Sequence, residues 1–467
     1  AARELGFQYM EFHGIFDDDM MVYREDSDGN PLYNFRLVDQ LFDFLLENGL
    51  RPYIQFGFMP KDLAAHTKTF FYRPSIISRP KDFSKWETLV GAFLRHCINR
   101  YGYEEVVDWY FEVWNEPDLP GIFWNDTEEE YFEFYRSTWN AVKGISSAFR
   151  VCGPAVTESL DIEQWLKRFL QFAKTQDILP DVFSFHFYPL PFSSSEIARK
   201  HLNGEFQGYF SSETQHLRNS IAKFQECIRP FGYKPESLFL TEWSLHSSHT
   251  DLHHDTQFSA VYIVRNILEN LGSTGAFTYW VLSDIIEECP LPVPVFHGGM
   301  GLFTLEGIPN AGWWAFKLLA KLGNQLIARG DGFVITKQDE SFQIMIYHFC
   351  QFDQLYAGND HSAISATNRY GVFRDFQGKN MEIELRDVPA GRYRVVEHVL
   401  NRENGSAFDA WVGMGSPEYL TGVEVDFLKS KSQPGYIVKE CEISGNYIIS
   451  KNLQPLEVRL VELVKQV

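Results

Sequence analysis

No apolar run in this 467-residue chain reaches the roughly 20 residues that a membrane-spanning helix needs, so an integral helical membrane protein is excluded. Basic residues are in short supply: 42 Lys and Arg stand against 62 Asp and Glu, a formal charge of −20. A field of that sign repels phosphate backbones and anionic lipid headgroups, which makes nucleic acid a poor partner. Cysteine is sparse. Cys97, Cys152, Cys227, Cys289, Cys350 and Cys441 are scattered and contain no CxxC pair, so zinc-finger and redox-motif readings fail. In a chain this long they read as free thiols of a reducing compartment, and a cytoplasmic location is expected. The opening Ala1-Ala2-Arg3-Glu4-Leu5-Gly6 lacks a basic region followed by an apolar run, so no signal peptide is visible. Repeats and low-complexity linkers are missing as well. Aromatic residues are plentiful: 41 Phe, 22 Tyr and 11 Trp. Part of that surplus must be core, and aromatic walls also suit flat, weakly polar ligands such as sugar rings.

The length exceeds one ordinary domain, and the pattern changes near Gly323. Before it, short aromatic and β-branched runs alternate with amphipathic stretches: Phe7–Phe16, Pro52–Met59, Trp109–Asn115, Arg150–Val156, Val182–Tyr188, Leu238–Ser244 and Ala276–Leu282. Several are apolar on both faces, as in a buried parallel sheet. Helix ends are readable between them. Asn34 and Gly49 bracket one helix, Asp82 and Gly102 a second, and Thr127 with Glu128-Glu129-Glu130 opens a third. The fold class is α/β, a (β/α)8 barrel over residues 1–323; an open seven-stranded sheet is the alternative. Only seven strands are visible, and Ala1–Gly6 reads as a helix tail. The first strand is therefore expected to lie upstream of Ala1. Residues 324–467 show short alternating runs punctuated by Gly, Pro and Asn, and read as a β-sandwich packed directly on the barrel.

Barrel enzymes carry their chemistry at the C-terminal ends of the strands. Two carboxylates stand there. Glu116 follows an apolar strand and precedes Pro117; Glu242 ends Phe239-Leu240-Thr241-Glu242-Trp243. Counting a missing strand, they lie on strands four and seven, across the ring from each other. A glycosidic bond needs two carboxyl groups facing each other across it. A lone Glu in such a place is usually a rim residue tied to an arginine; two at this spacing, each beside Trp, favour catalysis. Asn115 is placed to bond the hydroxyl beside the reacting carbon, although it could be a turn residue. His13, His186 and Tyr188 end strands on the same side and suggest a polar pocket. Trp280, Trp124 and Phe123 are candidates for stacking on a sugar face, with core packing the commoner use of each.

Other clusters read blandly. Asp17-Asp18-Asp19 lacks the EF-hand pattern. His249, His253 and His254 fall in a polar stretch without HExxH register, so a solvated loop is expected. Gly298-Gly299-Met300-Gly301 follows no phosphate-binding strand and helix. Glu287-Glu288 should overhang the pocket, where carboxylates bind sugar hydroxyls.

The chain resembles glycoside hydrolase family 39, whose best-known members are β-xylosidases and α-L-iduronidases. The resemblance rests on Phe12-His13-Gly14-Ile15-Phe16-Asp17-Asp18-Asp19, Trp114-Asn115-Glu116-Pro117-Asp118, Phe185-His186-Phe187-Tyr188-Pro189, Leu240-Thr241-Glu242-Trp243 and Tyr279-Trp280-Val281-Leu282-Ser283-Asp284. The Asp-rich segment and Tyr23-Arg24-Glu25 look closer to the β-xylosidase branch. The resemblance implies a retaining exo-β-glycosidase, a xylan 1,4-β-xylosidase acting on xylo-oligosaccharides without metal or organic cofactor. Glu116 then matches the acid/base and Glu242 the nucleophile. His13, Asn115, His186, Tyr188, Glu287 and Glu288 match positions that bind the glycone. Ser244, where such xylosidases usually carry Asn, puts the sugar in doubt. A uronic acid would need a cation, and only Arg73 and Arg79, in the loop after the second visible strand, come near that requirement. In some bacterial proteins such a region follows a DNA-binding module, so a carbohydrate sensor fused to an upstream domain is the rival from another class. A homo-oligomer stays open.

Overall fold

Seven short strands line up in chain order as one parallel sheet: β1 (Tyr9–Phe12), β2 (Arg51–Phe56), β3 (Tyr110–Val113), β4 (Arg150–Val156), β5 (Val182–Phe187), β6 (Leu238–Trp243) and β7 (Ala276–Tyr279). The structure is a computed structural model that describes residues 2–159, 161–190, 210–286, 288–290 and 294–466. A helix follows each strand: α1 (Arg36–Glu47), α2 (Phe83–Tyr101), α3 (Glu128–Ile145), α4 (Ile162–Thr175), α5 (His216–Ile228), α6 (Gln257–Glu269) and α7 (Ala311–Leu319). Parallel neighbours joined by helical crossovers curl into a barrel. The sheet is nearly closed. Among the described residues β1 and β7 remain its two edges. Between them runs a cavity of about 370 Å³, lined by Tyr9, Glu11 and His13 on one side and Ala276, Thr278 and Trp280 on the other. The gap expected from a count of seven is there. Residues Ala2–Leu5 form a 3-10 turn closed by Gly6 at φ 78°, in place of the expected α-helical tail.

The helix ends follow the sequence signals. Asp82 accepts the Ser84 and Lys85 amides at the start of α2. Thr127 and Glu130 cap each other at α3. The α1 cap falls at Phe35, one residue beyond Asn34, whose side chain still accepts the Arg36 amide. Inside the barrel, Tyr53, Cys152, Val182 and Phe239 pack with Tyr9, Tyr110 and Ala276 into an apolar plug. The polar groups on the same strands therefore lie above that plug, toward the C-terminal mouth.

Past Gly323 the chain forms an antiparallel sheet of β8 (Gln325–Gly330), β9 (Phe333–Gln338), β10 (Ser341–Tyr347), β11 (Lys379–Leu400), β12 (Gly435–Leu453) and β13 (Val458–Lys465), in the order β8-β9-β10-β13-β11-β12. The register of the long β11–β12 pair shifts between Leu385 and Gly391. Bulges of this kind bend a strand. The bent halves share one core, in which Ile383, Leu385 and Ile449 meet Ile344, Val395 and Val461.

The two regions interlock directly. Phe258 of α6 packs 4.4 Å from Phe352 between ring centres. The Arg369 side chain is fully buried; it donates to Asp255 at 2.7 Å and to the carbonyls of Leu252 and Phe296 at 2.6 and 2.7 Å. This corrects the expectation of a solvated His-rich loop after Glu242. His253 and His254 are buried. The ring nitrogens of His253 are bonded to Tyr356 Oη and to the Arg369 carbonyl, both at 2.9 Å, and His254 Nδ1 is bonded to the Gly298 carbonyl. The glycine run packs against the same loop: a Cβ on Gly298 would meet the Asp251 backbone at 2.5 Å, and one on Gly299 the Asp284 side chain at 2.3 Å.

Candidate active site

The turn that leaves β3 is held in an unusual shape. Trp114 and Glu116 have φ of 68° and 42°, left-handed values that L residues with bulky side chains avoid. Neighbouring bonds hold them there. The Glu116 amide donates to the Ala155 carbonyl at 3.0 Å, and Trp114 Nε1 to the Phe123 carbonyl at 2.7 Å. The turn sends the Glu116 carboxyl into the mouth, where Oε1 lies 2.8 Å from His186 Nδ1. Asn115 is buried, and its Oδ1 accepts from Gln55 Nε2 at 3.2 Å. Its Nδ2 has no partner, so this donor is available to a ligand.

Across the ring, β6 slips register against β5 between Leu240 and Glu242, which sets Glu242 beside His186. Tyr188 Oη donates to Glu242 Oε1 at 2.6 Å, and His186 Nδ1 sits 3.7 Å from Glu242 Oε2. Donor-type atoms of Glu116, His186 and Glu242 all fall within 4.8 Å of one another. So do those of Glu11, Glu112 and His186. Among the described residues, these are the two groups whose spacing would suit a cation; hydrogen bonds from Tyr188 and His186 already account for the first.

Burial drives both carboxyls away from ionisation. It pushes Glu116 well above the carboxylate range, with the charges of Asp118 and Glu288 adding to it. Burial also raises Glu242, to about 7, against the opposing pull of His186 and the Tyr188 hydrogen bond. The Tyr188 hydroxyl serves Glu242, His186 Nδ1 reaches both carboxyls and lies nearer Glu116, and the Glu288 charge presses on both while Asp118 presses on Glu116. Asp118 is itself raised to about 6 by burial, offset by bonds from Thr157.

Of the other expected residues, several converge on this mouth. His13 lies 5.0 Å from Trp280 and 5.8 Å from Phe71, stacked on both, and its charge acts on Glu116. Glu288 acts on both catalytic candidates, and its Oε2 is paired with His249 Nε2 at 2.7 Å. Glu287 lies outside the described residues. Phe123 and Trp124 show the commoner, core-packing use. Phe123 packs edge-on against Phe70 and Phe71, and Trp124 is buried against Trp114 and Phe134, so both belong to the wall behind the mouth. Arg79 is bound to Glu130 and Asp126, and Arg73 is largely exposed beside Asp19. Ser244 Oγ lies 3.2 Å from Tyr279 Oη. Sequence reasoning missed Gln55, Glu11 and Glu112. The available signal was a charge or amide in the middle of a strand otherwise apolar on both faces.

The family model of glycosyl hydrolases family 39 matches residues 1–447. A β-xylosidase of Caldicellulosiruptor saccharolyticus is 33% identical over 92% of this chain and 83% of its own. One from Geobacillus stearothermophilus is 32% identical over 99% and 87%. Among solved structures, a monomeric β-xylosidase from Caulobacter crescentus CB15 superposes with a TM-score of 0.88 at 29% identity, covering all of this chain and 91% of that one.

Proposed function

This chain belongs to glycosyl hydrolases family 39, and we propose that it is a retaining, exo-acting β-D-xylosidase in which Glu242 is the nucleophile and Glu116 the acid/base. The observation that carries this reading is the short gap between two carboxyls, Glu116 buried and Glu242 partly so. An oxygen of Glu116 lies within 4.8 Å of one of Glu242. Retaining enzymes hold their carboxyls about 5–5.5 Å apart, whereas inverting enzymes leave about 6.5–9.5 Å for a water.

The electrostatics support the division of labour. Glu116, held protonated by burial and its acidic neighbours, gives its proton to the leaving oxygen. Glu242, steadied as an anion by Tyr188 and His186, attacks the anomeric carbon and forms the glycosyl-enzyme. Glu116, now ionised, takes a proton from the water that releases the sugar. Asn115 Nδ2 donates to the hydroxyl next to the reacting carbon, and His13, Trp280 and Glu288 complete the glycone pocket.

The names of the two relatives support xylose as the sugar. A uronic acid is disfavoured because Arg79 is already committed to Glu130 and Asp126. The sensing-module reading is disfavoured because the β-xylosidase relatives span over nine-tenths of the chain and the carboxyl pair is assembled. We place the boundary between catalytic and accessory domains near Gly323. Free thiols at Cys97, Cys152, Cys227, Cys350 and Cys441 support a reducing, cytoplasmic setting. No described helix is long and apolar enough to cross a membrane.

A panel of 4-nitrophenyl glycosides, with the anomer of the first-formed product read by NMR, tests the reading. Fastest turnover on the β-D-xyloside with β-xylose formed first is expected. Preference for a uronide, or α-xylose as first product, overturns it.

A further inference from the structure

Glu11 and Glu112 lie deeper in the barrel than the catalytic pair, and nothing in the proposed mechanism uses them. Glu112 is fully buried and accepts two hydrogen bonds, from Tyr53 Oη at 3.1 Å and Gln55 Nε2 at 3.0 Å. An oxygen of Glu11 lies within 4.8 Å of one of Glu112, and Glu11 Oε2 is buried without a hydrogen-bond partner. Two carboxyls this close together resist ionising at the same time. Two donors point at Glu112, whereas Glu11 Oε2 has none, an asymmetry that favours the shared proton on Glu11. Burial, with the Glu112 charge second, pushes Glu11 well above the carboxylate range.

The link to catalysis is His186. One of its nitrogens lies within 4.8 Å of an oxygen of Glu11 and of Glu112. Its Nδ1 touches Glu116 at 2.8 Å, and its Nε2 is buried with no hydrogen-bond partner. The ring thus stands between two carboxyl pairs. The other titratable groups facing this cluster are Tyr53 from β2, Tyr131 from α3, Cys152 from β4 and Glu242 from β6, with His13, Asp118, Tyr188 and Glu288 around the mouth.

We propose that Glu11 and Glu112 form a one-proton carboxyl pair that fixes a single negative charge beneath His186, and so act as positioning residues for the proton on Glu116. A carboxylate next to an imidazole selects which ring nitrogen carries hydrogen. That choice sets the bond His186 makes to Glu116. The same charge helps Glu116 keep its proton until the leaving oxygen arrives. The inference rests on the roles proposed above for Glu116 and Glu242.

The test is the pH profile of kcat/KM on phenyl β-D-xyloside, whose poor leaving group needs the acid. Glu11→Gln keeps a neutral donor to Glu112, and its profile should stay within about 0.3 pH unit of wild type. Glu11→Gln/Glu112→Gln removes the charge, and both limbs should move down by about one pH unit, with thermal melts confirming the fold. A double variant whose profile overlays wild type, or a Glu11→Gln profile already displaced, overturns the proposal. An activity-independent readout separates this from the enzyme assignment. The infrared difference spectrum of wild type minus Glu11→Gln at neutral pH should show the carbonyl stretch of a protonated carboxylic acid. Absence of that band refutes the pair. A band present in a protein inactive on every xyloside refutes the xylosidase reading and leaves the one-proton pair standing.

Discussion

Replacing Arg369 with Met should weaken the whole molecule and loosen the mouth of the barrel. The Arg369 guanidinium is fully buried and makes four hydrogen bonds: to Asp255 Oδ2, and to the carbonyls of Leu252, Phe296 and Ala366. It also lies 4.0 Å over the Phe408 ring. Methionine keeps much of the apolar stem and deletes every donor. Asp255 Oδ2 is then left with the Gly298 amide alone. Breaking one side of a buried ion pair costs about 3–5 kcal/mol, because the remaining charge is stranded. Each orphaned carbonyl adds about 1 kcal/mol or more. A loss of about 6–8 kcal/mol is therefore expected. A chain of 467 residues unfolds with an entropy near 1 kcal/mol per degree, so Tm should fall by about 6–8 °C. Asp255→Asn in the same background should recover part of that loss, since it removes the stranded charge. The ion-paired loop follows the Glu242 strand and carries His249, the partner of Glu288. KM for an aryl xyloside should therefore rise in Arg369→Met more than kcat falls. Calorimetry and steady-state kinetics read both effects. A Tm within about 1 °C of wild type would refute the reasoning.

Glu116→Ala should lose about 10²–10⁴-fold on phenyl β-D-xyloside and far less on a dinitrophenyl xyloside; azide should restore turnover and give the β-xylosyl azide, checked by NMR. Glu242→Gly should lose activity on both substrates alike, with azide now giving the α-xylosyl product; wild-type turnover in this variant would exclude Glu242 as nucleophile. Asp284 is raised to about 8, first by burial and then by Asp255. Such an acid keeps its proton in the fold where the unfolded chain has lost it, so stability falls as pH rises from about 4 to about 8. Asp284→Asn can still accept from the Gly301 amide, and its Tm advantage over wild type should grow by several degrees between pH 5 and pH 8; parallel Tm curves would count against this.

The strands were legible because burial on both faces of a parallel sheet leaves runs rich in apolar and aromatic residues, as in Val182–Phe187 and Leu238–Trp243. The meeting of Glu116 and Glu242 was legible because both end such runs, and ring geometry brings strands on opposite sides to one mouth. What escaped depends on partners distant in sequence. His253 looked solvated because the Arg369 carbonyl that buries it lies 116 residues away. Phe123 looked available because sequence does not say which face of a loop meets Phe70 and Phe71. Glu11 and Glu112 were lost inside apolar strands, where an isolated acid carries no pattern of its own. The bend in β11 needed the register shift at Val388, which alternation alone does not reveal.

The left-handed backbone at Trp114 and Glu116 has a kinetic meaning. A non-glycine residue held there costs on the order of 1–3 kcal/mol, and the fold absorbs that cost once, when the chain folds. The Glu116 carboxyl is therefore already aimed into the mouth before any ligand arrives, and under the role proposed for it no loop rearrangement has to be climbed in each turnover.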